Sequence, residues 1–234
     1  MANKNIKRPE ELLKIMKASS IGDACFTHII GYIREGMTEK QIAGEIEETL
    51  KKMGSQGLAF PTIFVSGQNG ADPHGSPTDK RIEEGDMLTM DFGAVIDGYC
   101  GDMTRTVALG SISSEKQKAY ETVLKAQEKA LSLCRPGIKC FDIDKAARDI
   151  IEKAGYGENF IHGTGHGVGR EVHEEPYINK KAGDEDILAE NMAITIEPGI
   201  YIPGRFGIRI EDLAIISGFG IINTVKSEKK LLIL

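Results

Sequence analysis

The sequence has little of what marks secreted, disulfide-linked or membrane proteins. It contains no tryptophan among its 234 residues and only four cysteines, none of them in a Cys-x-x-Cys motif. A chain of this length can bury a core without disulfides, so we expect reduced thiols. No apolar run approaches the roughly 18 residues that a membrane helix needs, and the polar N-terminal residues do not resemble a signal peptide. These absences predict a soluble, cytoplasmic protein.

An excess of basic residues is also missing. Lysine and arginine number 29 against 35 aspartate and glutamate residues, which gives a net charge of -6. Nucleic acids and anionic membranes both select proteins with basic surfaces. The balance therefore argues against nucleic acid and membrane as partners, whereas a compact acidic cluster could hold cations. A homo-oligomer is compatible with this composition.

Four segments carry the apolar spacing and the end signals of helices. Capping-box patterns begin two of them, at Thr38 with Gln41 and at Ser114 with Gln117, and glycine ends two, at Gly54 and Gly155. The predicted helices are residues 9–34, 38–54, 114–134 and 142–154. Segments 34–54 and 135–155 align residue by residue at a constant offset of 101, which favours an internal duplication.

Strand-like segments follow each pair of helices. They are residues 60–66, 87–95, 99–109, 192–201 and 208–216. Turn signals at Asp97-Gly98 and at residues 204–207 join the last two strands of each half into a hairpin. We therefore predict the α+β class, with residues 1–234 forming one domain of two similar halves, about 9–110 and 111–234.

Each predicted hairpin places two carboxylates close together. The midpoint between Asp91 and Asp102 falls within about one residue of the Asp97-Gly98 turn, and the midpoint between Glu197 and Glu211 is Gly204. Like charges opposite each other destabilise a sheet. Either one member of each pair is protonated, as in an acid/base dyad, or a bound cation neutralises both.

A glycine-rich segment supplies a candidate nitrogen ligand. His162, His166 and His173 lie within twelve residues, and glycine flanks His166 on both sides. Four carboxylates and an imidazole suit divalent first-row metals. The segment lacks the lysine of a phosphate-binding P-loop, so nucleotide binding is disfavoured. Serine-histidine-aspartate catalysis is also disfavoured, because the sequence has no Gly-x-Ser-x-Gly motif.

Other aspartates and histidines give no such signal. His74, in a Pro-His-Gly turn, is more typical of a surface residue when taken alone. The aspartates that lack a partner in the predicted hairpins are interpreted as turn, cap or surface residues. They are Asp72, Asp79, Asp86, Asp97 and Asp212.

Four motifs together resemble the pita-bread metallopeptidases, the group of methionine aminopeptidase, aminopeptidase P and prolidase. The motifs are Asp91-Phe-Gly with Cys100-Gly-Asp102-Met-Thr-Arg-Thr, Thr164-Gly-His166-Gly, Ile196-Glu197-Pro-Gly and Arg209-Ile-Glu211-Asp212. The resemblance implies the pita-bread fold, with a curved antiparallel sheet and outer helices, and a metal-dependent exopeptidase. It covers essentially the whole chain.

The resemblance also implies roles for individual residues. Asp91 would chelate one of two metal ions, which could be Mn, Co, Fe or Zn, and Asp102 and Glu211 would bridge both. His166 and Glu197 would complete the ligand set, with Glu197 also accepting and returning a proton. His74 and His173 would contact a peptide substrate or the tetrahedral intermediate, and His162, Tyr201 and Arg209 would bind substrate or support the ligands.

Local details favour the Xaa-Pro peptidases over the methionine enzymes. His162 precedes the Thr-Gly-His-Gly motif, where methionine aminopeptidases typically carry Cys-Gly-His-Gly. Arg209 lies two residues before Glu211, whereas methionine enzymes usually have no arginine there. Xaa-Pro peptidases normally have an N-terminal domain, whereas here only a short segment precedes the first helix, and a partner could supply such a domain. The alternatives are methionine aminopeptidase, a non-catalytic peptide-binding module and creatinase-like C–N hydrolysis. The complete ligand set argues against the last two.

Overall fold

The computed structural model describes residues 5–234. Its four α-helices are α1 (Pro9–Tyr32), α2 (Glu39–Lys52), α3 (Ser114–Leu133) and α4 (Cys140–Lys153). The capping box that begins α2 is formed as predicted, by Thr38 and Gln41. The third helix is capped one residue earlier than predicted, because the Ser113 hydroxyl accepts a hydrogen bond from Lys116 N. No helix among the described residues is both long enough and apolar enough to cross a membrane.

Twelve short strands among residues 5–234 accompany the helices and confirm the α+β class. In chain order they are β1 (Ile63–Ser66), β2 (Met87–Phe92), β3 (Val95–Ile96), β4 (Tyr99–Cys100), β5 (Met103–Ala108), β6 (Gly165–Gly167), β7 (Glu174–Ile178), β8 (Ala193–Ile196), β9 (Gly199–Ile202), β10 (Phe206–Arg209), β11 (Asp212–Ser217) and β12 (Gly220–Asn223). The two larger sheets have the orders β1-β2-β5 and β12-β11-β8-β6-β7. All neighbouring strands in them are antiparallel.

The two halves repeat the same local design. Helices α2 and α4 both have 14 residues, and their ends differ by the same offset of 101 that the sequence alignment gave. The residue before each helix forms an isolated antiparallel bridge, Thr38 with Arg81 and Lys139 with Ile187. These matched features support an internal duplication.

The registers place the carboxylates differently in the two halves. Asp212 lies opposite Ile196, which is the register that the predicted Glu197 and Glu211 pairing requires. In the first half Asp91 lies opposite Thr104, so the predicted direct opposition of Asp91 and Asp102 is wrong. The turn is centred between Asp97 and Gly98, one residue later than expected, because both residues have the positive φ of a tight hairpin turn.

Two apolar clusters, one beneath each pair of helices, form the core. Strand β2 serves both, since Leu88 and Met90 belong to the cluster with α1 and α2, whereas Met87 belongs to the other. This alternation follows from the opposite directions of successive side chains along a strand. Helices therefore cover the sheet that contains β2, and the carboxylate of Asp91 in this strand is buried.

The prediction that Asp212 is a turn, cap or surface residue is wrong. Its side chain is fully buried and pairs with Arg105 Nη2 at 2.7 Å and Lys229 Nζ at 2.7 Å. Arg105 also donates a hydrogen bond to the carbonyl oxygen of Glu211. A buried ion pair thus joins the two halves directly behind a candidate metal ligand.

Candidate metal centre

Three buried side chains from different parts of the chain converge on one point. Asp102 lies just before β5, His166 lies in β6, and Glu211 lies just before β11. Ligand atoms of these three residues lie within 4.8 Å of one another. Two carboxylates and an imidazole at this separation can share a divalent cation.

The position of His166 is set by its backbone and its ring. His166 N donates to Thr195 Oγ1 at 3.1 Å, and Thr195 Oγ1 donates to Glu197 Oε1 at 3.2 Å. Nδ1 of the ring lies 3.1 Å from the Gly167 carbonyl oxygen, so we assign the ring proton to Nδ1. Nε2 then faces Glu197 Oε1 at 3.2 Å and Asp102 Oδ2 at 3.7 Å, free to bind a metal.

The residue before His166 is glycine because no side chain fits there. A Cβ atom on Gly165 would lie 2.0 Å from the carbonyl oxygen of Thr195. No other residue therefore fits where β6 approaches β8, and the close approach holds His166 beside Glu197.

Asp91 has one oxygen occupied and one free. Arg209 Nη2 donates to Asp91 Oδ2 at 2.6 Å. Oδ1 of the same carboxylate is buried and has no hydrogen-bond partner among the described residues. A buried carboxylate oxygen without a partner is costly, and a metal ion would satisfy it.

The carboxylates of the site are too crowded to be ionised together without a cation. Burial raises the pKa of Asp91, and burial with the charges of neighbouring carboxylates raises the pKa of Asp102 and Glu211 well above the usual range. Burial also acts to raise the pKa of Glu197, but the hydrogen bond and charge of His166 outweigh it and lower that pKa to about 2. Divalent cations in place of protons would relieve this repulsion.

All five predicted ligands line one cavity of about 470 Å³. His74, His162 and His173 line the same cavity, as does Arg209. The rings of His166 and His173 lie 4.4 Å apart, centroid to centroid. The structure thus brings nine of the ten predicted site residues to one space.

Tyr201 is the exception, since it does not line the cavity. Its buried hydroxyl accepts from Arg209 Nη1 at 2.8 Å and lies 2.9 Å from His162 Nε2. Tyr201 therefore lies behind the wall and holds two residues that do line it.

Two threonines of the site were not predicted from the sequence. Thr104 Oγ1 donates to Glu211 Oε2 at 2.7 Å and accepts from Arg209 Nε at 3.1 Å, and Thr195 links His166 to Glu197. Alternation along a strand offers a signal, because Thr104 is two residues from Asp102 and Thr195 two from Glu197. The cavity wall at residues 60–63 was also missed, since that segment was interpreted only as a strand.

Comparison with known proteins defines the class. Residues 14–217 match the sequence profile of metallopeptidase family M24. This chain belongs to that family, which implies divalent metal ions, and it has the pita-bread fold of its structural relatives.

Individual relatives are Xaa-Pro peptidases by name. The chain is 44% identical to the Xaa-Pro dipeptidase of Pyrococcus furiosus, over 97% of the chain and 65% of that protein. The crystal structure of the X-Pro aminopeptidase from Thermotoga maritima matches 99% of the chain with a TM-score of 0.95 and 41% identity. Escherichia coli aminopeptidase P, solved with substrate, matches with a TM-score of 0.88 and 27% identity. The chain spans about 65% of the length of the first two.

Proposed function

We propose that this chain is a dinuclear metal-dependent exopeptidase of the Xaa-Pro type, cleaving a peptide bond near the N-terminus of its substrate. The observation that carries the proposal is the convergence of five potential ligands on one cavity, with an unpartnered oxygen on Asp91. The names of the relatives support Xaa-Pro specificity. The buried, unpaired cysteines agree with a cytoplasmic location.

The ligand set would be Asp91, Asp102, His166, Glu197 and Glu211, which together would hold two ions of Mn, Co, Fe or Zn. When bound, such ions acidify a water molecule and polarise the scissile carbonyl. The mixed oxygen and imidazole donors suit each of these metals. The unpartnered Asp91 oxygen and the crowded Asp102 and Glu211 pair both fit this occupancy.

The side chains of the site have distinct tasks in this proposal. Glu197, oriented by Thr195, accepts a proton from the attacking water and delivers it to the leaving amine. Burial lowers the pKa of His173, so its neutral imidazole can donate a hydrogen bond to the scissile carbonyl oxygen. His74, which lines the same cavity, would donate to the developing oxyanion.

Arg209 supports the ligands without binding metal. It donates to Asp91, Thr104 and Tyr201, so one guanidinium orients a ligand and the hydroxyls behind it. A fixed, planar donor of this kind holds a carboxylate in one orientation.

Hydrolysis of two matched peptides tests the proposal. Ala-Pro-containing and Met-Ala-Ser peptides are incubated with protein that has been stripped of metal and reloaded with Mn(II) or Co(II). We expect cleavage of the Ala-Pro peptide only in the reloaded sample, and its loss in Asp91→Asn. Cleavage of the methionyl peptide alone would refute the Xaa-Pro specificity, and cleavage by metal-stripped protein would refute the metal dependence.

A further inference from the structure

The connection between β1 and β2 carries His74 to the cavity. Its first turn, Gly67–Ala71, is a 3-10 helix that packs against β10, where a Cβ on Gly70 would lie 3.1 Å from Gly207 N. Pro73 O then accepts a hydrogen bond from Arg209 Nη1 at 3.2 Å. One side of this connection therefore lies against the metal centre.

On its other side the connection contacts a buried carboxylate that the proposed chemistry does not use. Glu39, the first residue of α2, has 0% of its surface exposed. Its Oε1 accepts from Ser66 N at 2.7 Å and Ser66 Oγ at 2.8 Å. Its Oε2 accepts from Thr78 N at 3.0 Å and Thr78 Oγ1 at 2.6 Å. Asn69 Nδ2 donates to both oxygens, at 3.2 and 3.1 Å.

This arrangement requires a carboxylate. The partners of Glu39 are backbone N–H, amide and hydroxyl donors, and Ser66 and Thr78 flank residues 67–77, the part of the connection that contains His74. An ionised carboxylate has only acceptors, whereas an amide would turn its own donors toward those of the loop. The N-terminus of α2 further stabilises the negative charge.

The duplicated half shows that the helix does not need this carboxylate to begin. Cys140 occupies the equivalent position of α4, at the offset of 101, and is equally buried. The backbone contacts of the two positions correspond, since Glu39 N donates to Lys80 O at 3.0 Å and Cys140 N donates to Asp186 O at 2.8 Å. The carboxylate is thus an addition that serves the connection of the first half.

We propose that Glu39 is a positioning residue that acts on turnover through His74, by fixing both ends of the segment that presents this histidine to the substrate. The inference rests on the proposed peptidase function. Glu39 itself does not line the cavity, so its effect passes through the loop.

Steady-state kinetics of Glu39→Gln is the primary test. Because the amide cannot accept from the donors on both ends, the loop loosens and His74 leaves its position in the transition state. We expect kcat to fall about tenfold with KM changed less than about twofold, since small misplacements of a catalytic group are costly. Glu47→Gln is the matched control, because it removes the same charge from an exposed position of α2 and should leave kcat unchanged.

A double-mutant cycle separates positioning from a general structural role. If Glu39 acts through His74, Glu39→Gln should change kcat by less than about twofold in a His74→Ala background, whereas independent effects would multiply. Thr78→Val removes one donor to Glu39 with less disturbance, and should show the same non-additivity if Glu39→Gln fails to fold.

The outcomes are distinguishable from failure of the proposed function. An inactive wild-type protein loaded with metal would sink the peptidase proposal itself. If the wild type is active, three results would overturn the positioning role alone. They are full kcat in Glu39→Gln and Thr78→Val, a change in KM only, or effects on kcat that multiply with that of His74→Ala.

Discussion

At the scale of single residues, Asp91 has one carboxylate oxygen that a bound cation would satisfy. Its Oδ2 is paired with Arg209, and its buried Oδ1 has no partner among the described residues. Asp91→Asn keeps the size of the side chain but removes the charge and replaces one oxygen by a donor. We expect Mn(II) affinity to fall by more than about 100-fold, since even supporting residues of metal sites contribute 10- to 100-fold.

Isothermal titration of metal-stripped wild type and Asp91→Asn with Mn(II) measures this effect. Asp97→Asn is a suitable control, because Asp97 is an exposed turn residue in the same half. Equal Mn(II) affinity in wild type and Asp91→Asn would remove Asp91 from the ligand set.

Thr195 is the second residue for which a prediction follows. Its hydroxyl accepts from His166 N and donates to Glu197 Oε1, so Thr195→Val leaves a buried N–H group without an acceptor. We expect the free energy of unfolding to fall by about 1–3 kcal/mol and kcat to fall as well, because Glu197 loses its orientation. Urea denaturation and peptide hydrolysis measure the two effects, and Thr27→Val at an exposed position of α1 is the control.

The sequence identifies charged residues of the site better than hydroxyl residues. Asp102, His166 and Glu211 could be predicted because buried charges need a compensating group. Thr104 and Thr195 lie two residues from Asp102 and Glu197, but this spacing does not single them out, since threonine is common in strands for reasons of packing alone. Their roles depend on hydrogen bonds that only the three-dimensional arrangement specifies.

At the scale of elements, the β3–β4 turn determines where the first pair of carboxylates lies. Gly98 has φ +75, a conformation that side chains with a Cβ rarely adopt. Gly98→Ala should destabilise the protein by about 1 kcal/mol. By contrast, a Cβ added to Gly44 in α2 would meet nothing within 4 Å among the described residues beyond its chain neighbours and the nearby backbone of its own helix, so Gly44→Ala should stabilise by about 0.5–1 kcal/mol.

Urea denaturation of the two alanine variants side by side measures both signs. Equal effects of the two substitutions on the denaturation midpoint would contradict the turn assignment. The same turn explains why one register was predicted and the other was not. The turn centred on Gly204 lies where the sequence predicted it. The turn at Asp97-Gly98 is centred one residue later than predicted. A shift of one residue in a turn changes every residue pairing along the hairpin.

At the scale of the whole molecule, the buried pair of Arg105 and Asp212 connects the two halves. Burial acts to raise the pKa of Asp212, but the charges of Arg105 and Lys229 outweigh it and lower that pKa. A carboxylate with a lowered folded-state pKa stabilises the fold above its unfolded pKa, near 3.9, and this contribution is lost as the pH falls through the folded value. As the pH falls through the acid range, the free energy of unfolding of Asp212→Asn should therefore decrease less than that of the wild type.

The same substitution leaves buried cations without their counter-charge. We expect Asp212→Asn to lower the free energy of unfolding at neutral pH by about 3–5 kcal/mol. Chemical denaturation at a series of pH values from 7 down to about 2, below the unfolded pKa of aspartate, measures both effects, with Asp184→Asn as the exposed control. A variant as stable as the wild type at pH 7 would show that the pair does not hold the halves together.

The recurrence of α2 and α4 at an offset of 101 could be predicted, because helix signals are local features. The partners of Asp212 could not, since Arg105 is 107 residues away and Lys229 follows the last strand. Local patterns carry no information on such pairs, whereas the packing of the two sheets brings Arg105 Nη2 to 2.7 Å from Asp212 Oδ1.

The central claim is that one cavity between the halves holds two divalent ions through five side chains. Anomalous X-ray scattering from crystals grown with Mn(II) locates such ions directly. The claim predicts two peaks in this cavity, each within bonding distance of some of Asp91, Asp102, His166, Glu197 and Glu211. The absence of peaks there at saturating Mn(II), or peaks bound only by other residues, would contradict it.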